Sequence, residues 1–411
     1  MGWQKLSLGS VVSLAVVTIA AFASGLWVLT AIPIGFLFGF FLERADLCGA
    51  SAFSEVVLMR DARKLGGIWI LIAVSMLTFA AGSSLGWISL HPKPLIWANY
   101  LVGGVLFGVG MVLAGGCVSG TLFKAGQGNL NSMAALVSIP IGVATVEYGP
   151  LRGLLRYLES SVITDRGGGS VTLASLTGLS YPTLAVVFAL MTLAVALLLR
   201  NRKTAPEPAR RKTGDSSLAQ RILTRPWKPW QSGVAIGLLA LAAYASSMAS
   251  GRNYPLGVTH GVLHVELLAT DYPVQHVWGS APRPAAAAPD ALPQAGATKA
   301  PPEKKVVWWL VGLVTFLVVG SHVSARLRGS FRLLPKPPDE TIVAFLGGLL
   351  VGSGAALAGG CVVGNIMSGV ALMSVGNMLF VIVVALSNWA TTYVYMIGPS
   401  GLRGTSRVRE T

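Results

Sequence analysis

Residues Gly103–Gly120 read GGVLFGVGMVLAGGCVSG, and residues Gly347–Gly364 read GGLLVGSGAALAGGCVVG. The two stretches lie 244 residues apart and agree at 12 of 18 positions, with Gly103, Gly104, Gly108 and Gly110 matched by Gly347, Gly348, Gly352 and Gly354. Each runs as an apolar helix to a glycine pair, Gly115-Gly116 or Gly359-Gly360, and then to a cysteine, Cys117 or Cys361. Such a repeat in an apolar chain predicts two homologous membrane halves, each bringing one cysteine to a shared centre. Where membrane proteins are built from internal repeats, ligands bind where the halves meet, often on interrupted helices.

The rest of the chain agrees with a membrane setting. Hydrophobic residues make up 53% and charged residues 11%, with mean hydropathy +0.66; a soluble domain carries about 25% charged residues. The net charge of +15 is clustered. Nine Lys and Arg fall in Arg200–Lys228, and further groups are Arg326, Arg328, Arg332 and Lys336, then Arg403, Arg407 and Arg409. Basic loops beside spans mark a cytoplasmic side, so this charge reads as topology and not as a nucleic-acid surface. Three cysteines, Cys48, Cys117 and Cys361, with no Cys-x-x-Cys pair, exclude a disulfide framework. The first apolar run, Val11–Ala31, is long enough to span and reads as a retained helix instead of a cleaved leader.

Nine apolar runs have the length of a crossing: Leu8–Thr30, Gly67–Leu90, Ala98–Gly115, Ser132–Tyr148, Tyr181–Arg200, Ser232–Ser250, Val306–Val323, Thr341–Gly359 and Asn377–Ile397. Four more segments, Ile32–Met59, Cys117–Leu130, Gly251–Val274 and Cys361–Gly376, are apolar but broken by Gly, Pro, Asn or charge. Lipid cannot satisfy broken backbone, so these segments belong inside protein or along a wet cavity. The expected fold is an all-α polytopic membrane protein, its two pseudo-symmetric halves meeting through re-entrant or short helices at a shared centre. Residues 1–200 form the first half with Cys48 and Cys117, 201–228 a basic cytoplasmic loop, and 229–411 the second half with Cys361. Within the latter, residues 281–305 hold six Pro and nine Ala and read as a disordered linker.

The upstream glycines, like Gly35 and Gly39, allow helices to pack backbone to backbone. The pairs Gly115-Gly116 and Gly359-Gly360 instead mark a sharp break and leave room for a ligand. A helix restarting after such a break aims free N–H groups and a positive dipole end into the interior, which is an anion site. Beside these two starts lie Cys117, Ser119, Thr121, Cys361, Asn365 and Ser368. Lys124 follows Cys117 by seven residues, and Arg44 shares a helix face with Cys48, so both can steer an anion. A buried neutral thiol is a soft, weak S–H donor suited to a substrate with an exposed sulfur atom. No metal or cofactor is called for: His260, His264 and Glu266 mimic a metal site, but the segment before them, Arg252–Thr259, reads as the second-half counterpart of the Cys48 region. Glu147, inside an apolar run, is a candidate proton or packing residue.

The motifs RADLCG (44–49), GGCVSGTLFKAGQGNL (115–130) and GGCVVGNIMSG (359–369) resemble the three cysteine motifs of the YeeE/YedE family, to which bacterial thiosulfate transporters belong. The resemblance implies an hourglass-shaped permease of the bacterial inner membrane, not an enzyme. In it, Cys48, Cys117 and Cys361 line the constriction and pass the thiosulfate ion along by S–H···S contacts. Gly115, Gly116, Gly359, Gly360, Arg44, Lys124, Asn365 and Ser368 are the accompanying substrate-binding candidates. It also implies a cytosolic sulfur-carrier protein or sulfurtransferase as the consumer of the ion, with proton symport as the alternative driving force. Another sulfur or selenium oxyanion as substrate, or a membrane-embedded cysteine sulfurtransferase, are the alternatives. The sequence carries no P-loop for ATP coupling.

Overall fold

A computed structural model describes residues 3–165, 168–200, 223–270, 273–278, 304–333 and 336–398. The basic loop over 201–222, most of the 281–305 linker and the C-terminal arginines lie outside the described residues. The helices in chain order are α1 (Trp3–Ser24), α2 (Ala31–Ala45), α3 (Gly49–Leu58), α4 (Arg63–Ser84), α5 (Trp97–Leu113), α6 (Val118–Gly126) and α7 (Leu130–Glu147). They continue as α8 (Arg152–Glu159), α9 (Leu173–Thr177), α10 (Tyr181–Arg200), α11 (Pro229–Ala249), α12 (Thr259–Ala269), α13 (Trp308–Arg328) and α14 (Pro338–Leu357). A π-helical turn spans Val362–Gly369, and α15 (Val375–Thr392) closes the bundle. Two strand pairs of two or three residues, Leu95–Ile96 with Val162–Ile163 and Gln275–Val277 with Lys305–Val307, tie loops at one end.

Among the described residues, nine helical stretches are long and apolar enough to cross a membrane. The protein is an all-α, multi-pass membrane protein. The structure corrects the sequence reading at one place. Ile32–Met59 is not broken throughout: α2 is continuous to Ala45, and the chain turns only at Asp46, whose φ of 47° ends the helix, before α3 begins. Arg44 sits inside that helix with its side chain buried, so its charge does not interrupt it. Helix α10 keeps the bounds that the sequence gives its apolar run, Tyr181–Arg200.

The repeated glycines explain the packing. A Cβ added at Gly103 would lie 2.7 Å from Ala358 N and 2.8 Å from Gly354 O; one added at Gly110 would lie 2.6 Å from Val351 N and 2.9 Å from Gly347 O. Thus α5 and α14 run antiparallel with their backbones touching. Each glycine meets the repeat-mate of the other, which is the signature of a pseudo-two-fold axis between the two helices. The flanks obey the same exchange. Gly104 and Gly108 of α5 pack on Val383 and Ser387 of α15, while Gly348 and Gly352 of α14 pack on Ser138 and Ile139 of α7. Gly35 and Gly39 seat α2 against Leu313 and Leu317 of α13, and Gly233 and Gly237 seat α11 against Gly67 and Val74 of α4. The helices therefore correspond in the same chain order but inverted orientation across the axis: α2 with α11, α3 with α12, α4 with α13, α5 with α14, α6 with the π turn, and α7 with α15. Helix α1 stands outside this scheme, with nearly all of its apolar surface exposed as a lipid-facing helix would have it.

Because α5 and α14 are antiparallel, their Gly-Gly breaks open toward opposite ends of the bundle. The ends of α2 and α13 and the start of α14 place Arg326, Arg328, Arg332 and Lys336 at the end where Gly115 lies. There, fully buried Glu43 of α2 accepts from Arg328 at 2.8 Å, Ser324 at 2.5 Å and Gln127 at 3.2 Å. This knot joins α2, α13 and the turn after α6.

Candidate functional site

All three cysteines are the N-cap residues of short buried helices. Cys48 precedes α3, Cys117 precedes α6 and Cys361 precedes the π turn, each with extended backbone and none exposed to solvent. An N-cap residue leaves the first N–H groups of its helix unpaired and aimed along the side where its own side chain points. Three such ends converge. The Cys48 and Cys117 thiols lie side by side against Gly120, Cys117 Sγ lies 3.4 Å from Ser119 Oγ, and Cys361 is close to Cys117. Two glycines make the approach possible. A Cβ at Gly120 would collide with Cys48 Sγ, and one at Gly49 would lie 2.7 Å from the Val362 side chain next to Cys361.

The breaks before Cys117 and Cys361 are built alike from different residues. Gly115 and Gly359 both have φ near 65°, the left-handed region that favours glycine. The carbonyl of each accepts from a lysine: Lys124 Nζ reaches Gly115 O at 2.6 Å, and Lys93 Nζ reaches Gly359 O at 2.5 Å. Lys124 belongs to the helix that follows its own break, whereas Lys93 comes from the loop between α4 and α5, in the other series of helices. Asn365 holds the second break together, donating to Ala358 O at 2.9 Å and Gly360 O at 2.8 Å while accepting from Lys93 at 2.8 Å. Its counterpart Thr121 donates to Cys117 O at 2.7 Å.

A cavity opens beyond each break. One of about 180 Å³ is lined by Lys93, Arg252, Tyr254, His260, Gly359 and Gly360. Another of about 290 Å³, toward the basic end, is lined by Gly115, Lys124, Asn129, Asn131, Lys336 and Glu340. Cys361 therefore stands nearest the first cavity, and the Cys48–Cys117 pair nearest the second. In the first cavity Arg252 spends its Nη1 on the Pro255 and Tyr254 carbonyls, at 2.8 and 3.2 Å, and burial lowers its pKa to about 10. Lys93 is lowered further, to about 7, by burial and by the nearby Arg252.

Of the residues singled out from the sequence, Cys48, Cys117, Cys361, Gly115, Gly116, Gly359, Gly360, Lys124 and Asn365 gather around this axis. Two do not. Arg44 lines neither cavity: its guanidinium sits 4.7 Å from the Phe40 ring centroid and donates to Leu223 O. Ser368 points away from the breaks and donates to Leu256 O at 2.9 Å, bracing the irregular segment ahead of α12. Lys93, Arg252 and Tyr254 escape the sequence reading because they lie in loops, far along the chain from the cysteine they face. The available signal was the Arg252–Thr259 segment, whose following helix α12 does occupy the place of α3. His260 pairs with Glu147 at 2.9 Å, and His264 Nδ1 faces Val307 N at 3.4 Å. Among the described residues no three His, Cys, Asp or Glu side chains gather as a metal site.

Comparison with known proteins bears out the family resemblance. The sequence model described as "Sulphur transport" matches residues 44–390. The thiosulfate transporter TsuA of Escherichia coli K12 is 27% identical over 377 residues, covering 90% of this chain and 96% of that protein. TsuA of Spirochaeta thermophila is 28% identical over 378 residues, covering 89% and 98%. The probable transporter YedE of Escherichia coli K12 is 38% identical over 96 residues, 23% of each chain. These relatives are named as transporters, not enzymes.

Proposed function

This chain belongs to the sulphur transport family, and from that premise we propose that it is an inner-membrane permease for thiosulfate uptake. The observation that carries the reading is the row of three buried, N-capping thiols between two lysine-bearing cavities. The names of two relatives that cover nearly the whole chain support the choice of thiosulfate. By the positive-inside rule, the end with Lys336 and the arginines faces the cytoplasm. The ion is admitted at the Lys93–Arg252 cavity and leaves past Lys124.

The cations and helix ends offset part of the cost of drying a dianion, while the neck itself offers only weak donors. Thiosulfate presents its terminal sulfur to Cys361, then to the Cys48–Cys117 pair, each S–H donating without forming a covalent bond. Weak, successive sites suit passage, since a firm site would trap the ion. Residues 1–200 and 229–411 act as the two halves, joined by the 201–228 loop, with lipid around α1 and α10. The path does not supply a driving force. An inside-negative potential opposes a dianion by about 4.6 kcal/mol per 100 mV. A cytosolic sulfur carrier or sulfurtransferase that consumes the ion provides the sink.

The test is uptake of labelled thiosulfate by proteoliposomes. A Cys117→Ala, Cys361→Ala double variant that inserts normally should lose transport. Wild-type rates in that variant would refute the relay.

A further inference from the structure

Lys93 has the surroundings of an amine that gains its charge only when an anion arrives. Its Nζ has two acceptors, Gly359 O at 2.5 Å and Asn365 Oδ1 at 2.8 Å, and the Tyr254 ring lies 4.9 Å away at the cavity wall. A neutral amine has two N–H donors and a lone pair, whereas an ammonium has three donors. Two acceptors match the neutral form and leave a third N–H without one. Of the groups whose charge acts on Lys93, Arg252 opposes a second cation and Cys361 favours one. Facing it from the other side is a cavity of about 370 Å³ that also holds Glu147, Glu159, His260 and Tyr100. Glu147 is engaged by His260 at 2.9 Å. His91, on the same loop, is turned to Ser89 O and Asn253.

We propose that capture of a dianion in the outer cavity draws a proton onto Lys93, so that the ion is held with one of its two charges already balanced by proton uptake. This rests on the reading of the path as one for a doubly charged oxyanion. The proton comes from the outer solution and is taken by the Nζ lone pair. The new third N–H then donates to the anion, beside the permanent charge of Arg252. Such an arrangement avoids holding two uncompensated cations in an empty, buried cavity. It also makes capture depend on pH with a definite sign. The free amine titrates near 7, and the bound one higher. Affinity is therefore level below about 7 and falls by up to about tenfold per pH unit above it, until the bound amine also loses its proton.

Two measurements on the full chain in nanodiscs test this. Trace acetylation read by mass spectrometry gives the pH at which Lys93 becomes reactive. The expected midpoint is near 7 without anion, rising by about one unit or more with sodium thiosulfate. Calorimetry in buffers of different ionisation heat counts protons taken up per anion bound. Wild type should take up a fraction of a proton at neutral pH, and Lys93→Arg, which is always charged, should bind with none. A Lys93 midpoint at the ordinary value of about 10, or equal proton uptake in Lys93→Arg, overturns the proposal. A midpoint near 7 that moves with sulfate but not with thiosulfate upholds the proton step and overturns thiosulfate as the substrate.

Discussion

Alanine at the two adjacent glycines of the second break should separate backbone strain from the lysine lock. Gly359 has φ 65° and open space where a Cβ would go. Alanine there has only to adopt the left-handed conformation, which costs about 1–2 kcal/mol. That lowers the melting temperature by a few degrees at most. Gly360 has no such conformation, but its Cβ would lie 2.7 Å from Asn365 Oδ1 and 3.0 Å from Lys93 Nζ. Both groups must move, and with them go up to three hydrogen bonds of Asn365, together about 1.5–4.5 kcal/mol at 0.5–1.5 each. Displacing Lys93 also removes one charge-assisted contact to the anion, about 1.5–3 kcal/mol, or about 10–100-fold in apparent affinity. The assay is initial uptake into proteoliposomes over a range of thiosulfate concentrations, paired with thermal unfolding. Gly359→Ala should show a small melting shift and near-normal KM, and Gly360→Ala a raised KM. A normal KM in Gly360→Ala, or a larger KM defect in Gly359→Ala, would refute the idea that Lys93 is positioned by this loop.

The two breaks face opposite ends, so membrane-impermeant thiol reagents should label Cys117 and Cys361 with opposite sidedness in oriented vesicles; identical sidedness would contradict the inverted arrangement. Glu43→Ala takes the shared acceptor from half-buried Arg328, Ser324 and Gln127 and should destabilise the protein by about 1–3 kcal/mol. Glu43→Gln, which keeps one acceptor oxygen and the side-chain volume, should cost less, as differential scanning of the two variants would reveal. In liposomes with an imposed inside-negative potential and neither a pH gradient nor a consuming enzyme, thiosulfate should not accumulate above its outside concentration. Accumulation under those conditions would rule out a passive relay.

Much of the architecture was legible because membrane physics acts on local sequence. A crossing needs a run of apolar residues, a broken run must hide its backbone, and a glycine pair before cysteine marks where the helix stops. Those rules located α5, α14 and the restarts at Val118 and Val362, and the repeat itself announced two equivalent centres. They misjudged α2, since a charged residue such as Arg44 ends an apolar run on paper but not in a helix whose end is packed against other segments.

What the sequence determined by itself was the set of parts: the spans, the breaks, the three thiols and the family. Only the tertiary structure decided their order, with Cys361 toward the Lys93 cavity and Cys48 paired with Cys117. Only the structure brought Lys93 and Arg252 to the mouth and took Arg44 and Ser368 away from it. The physical reason is that helix breaks are written in consecutive residues, whereas a cation's place along a path depends on which helices pack. Here that packing exchanges partners between the two halves, so the lysine at one break belongs to its own helix and the lysine at the other arrives from across the axis.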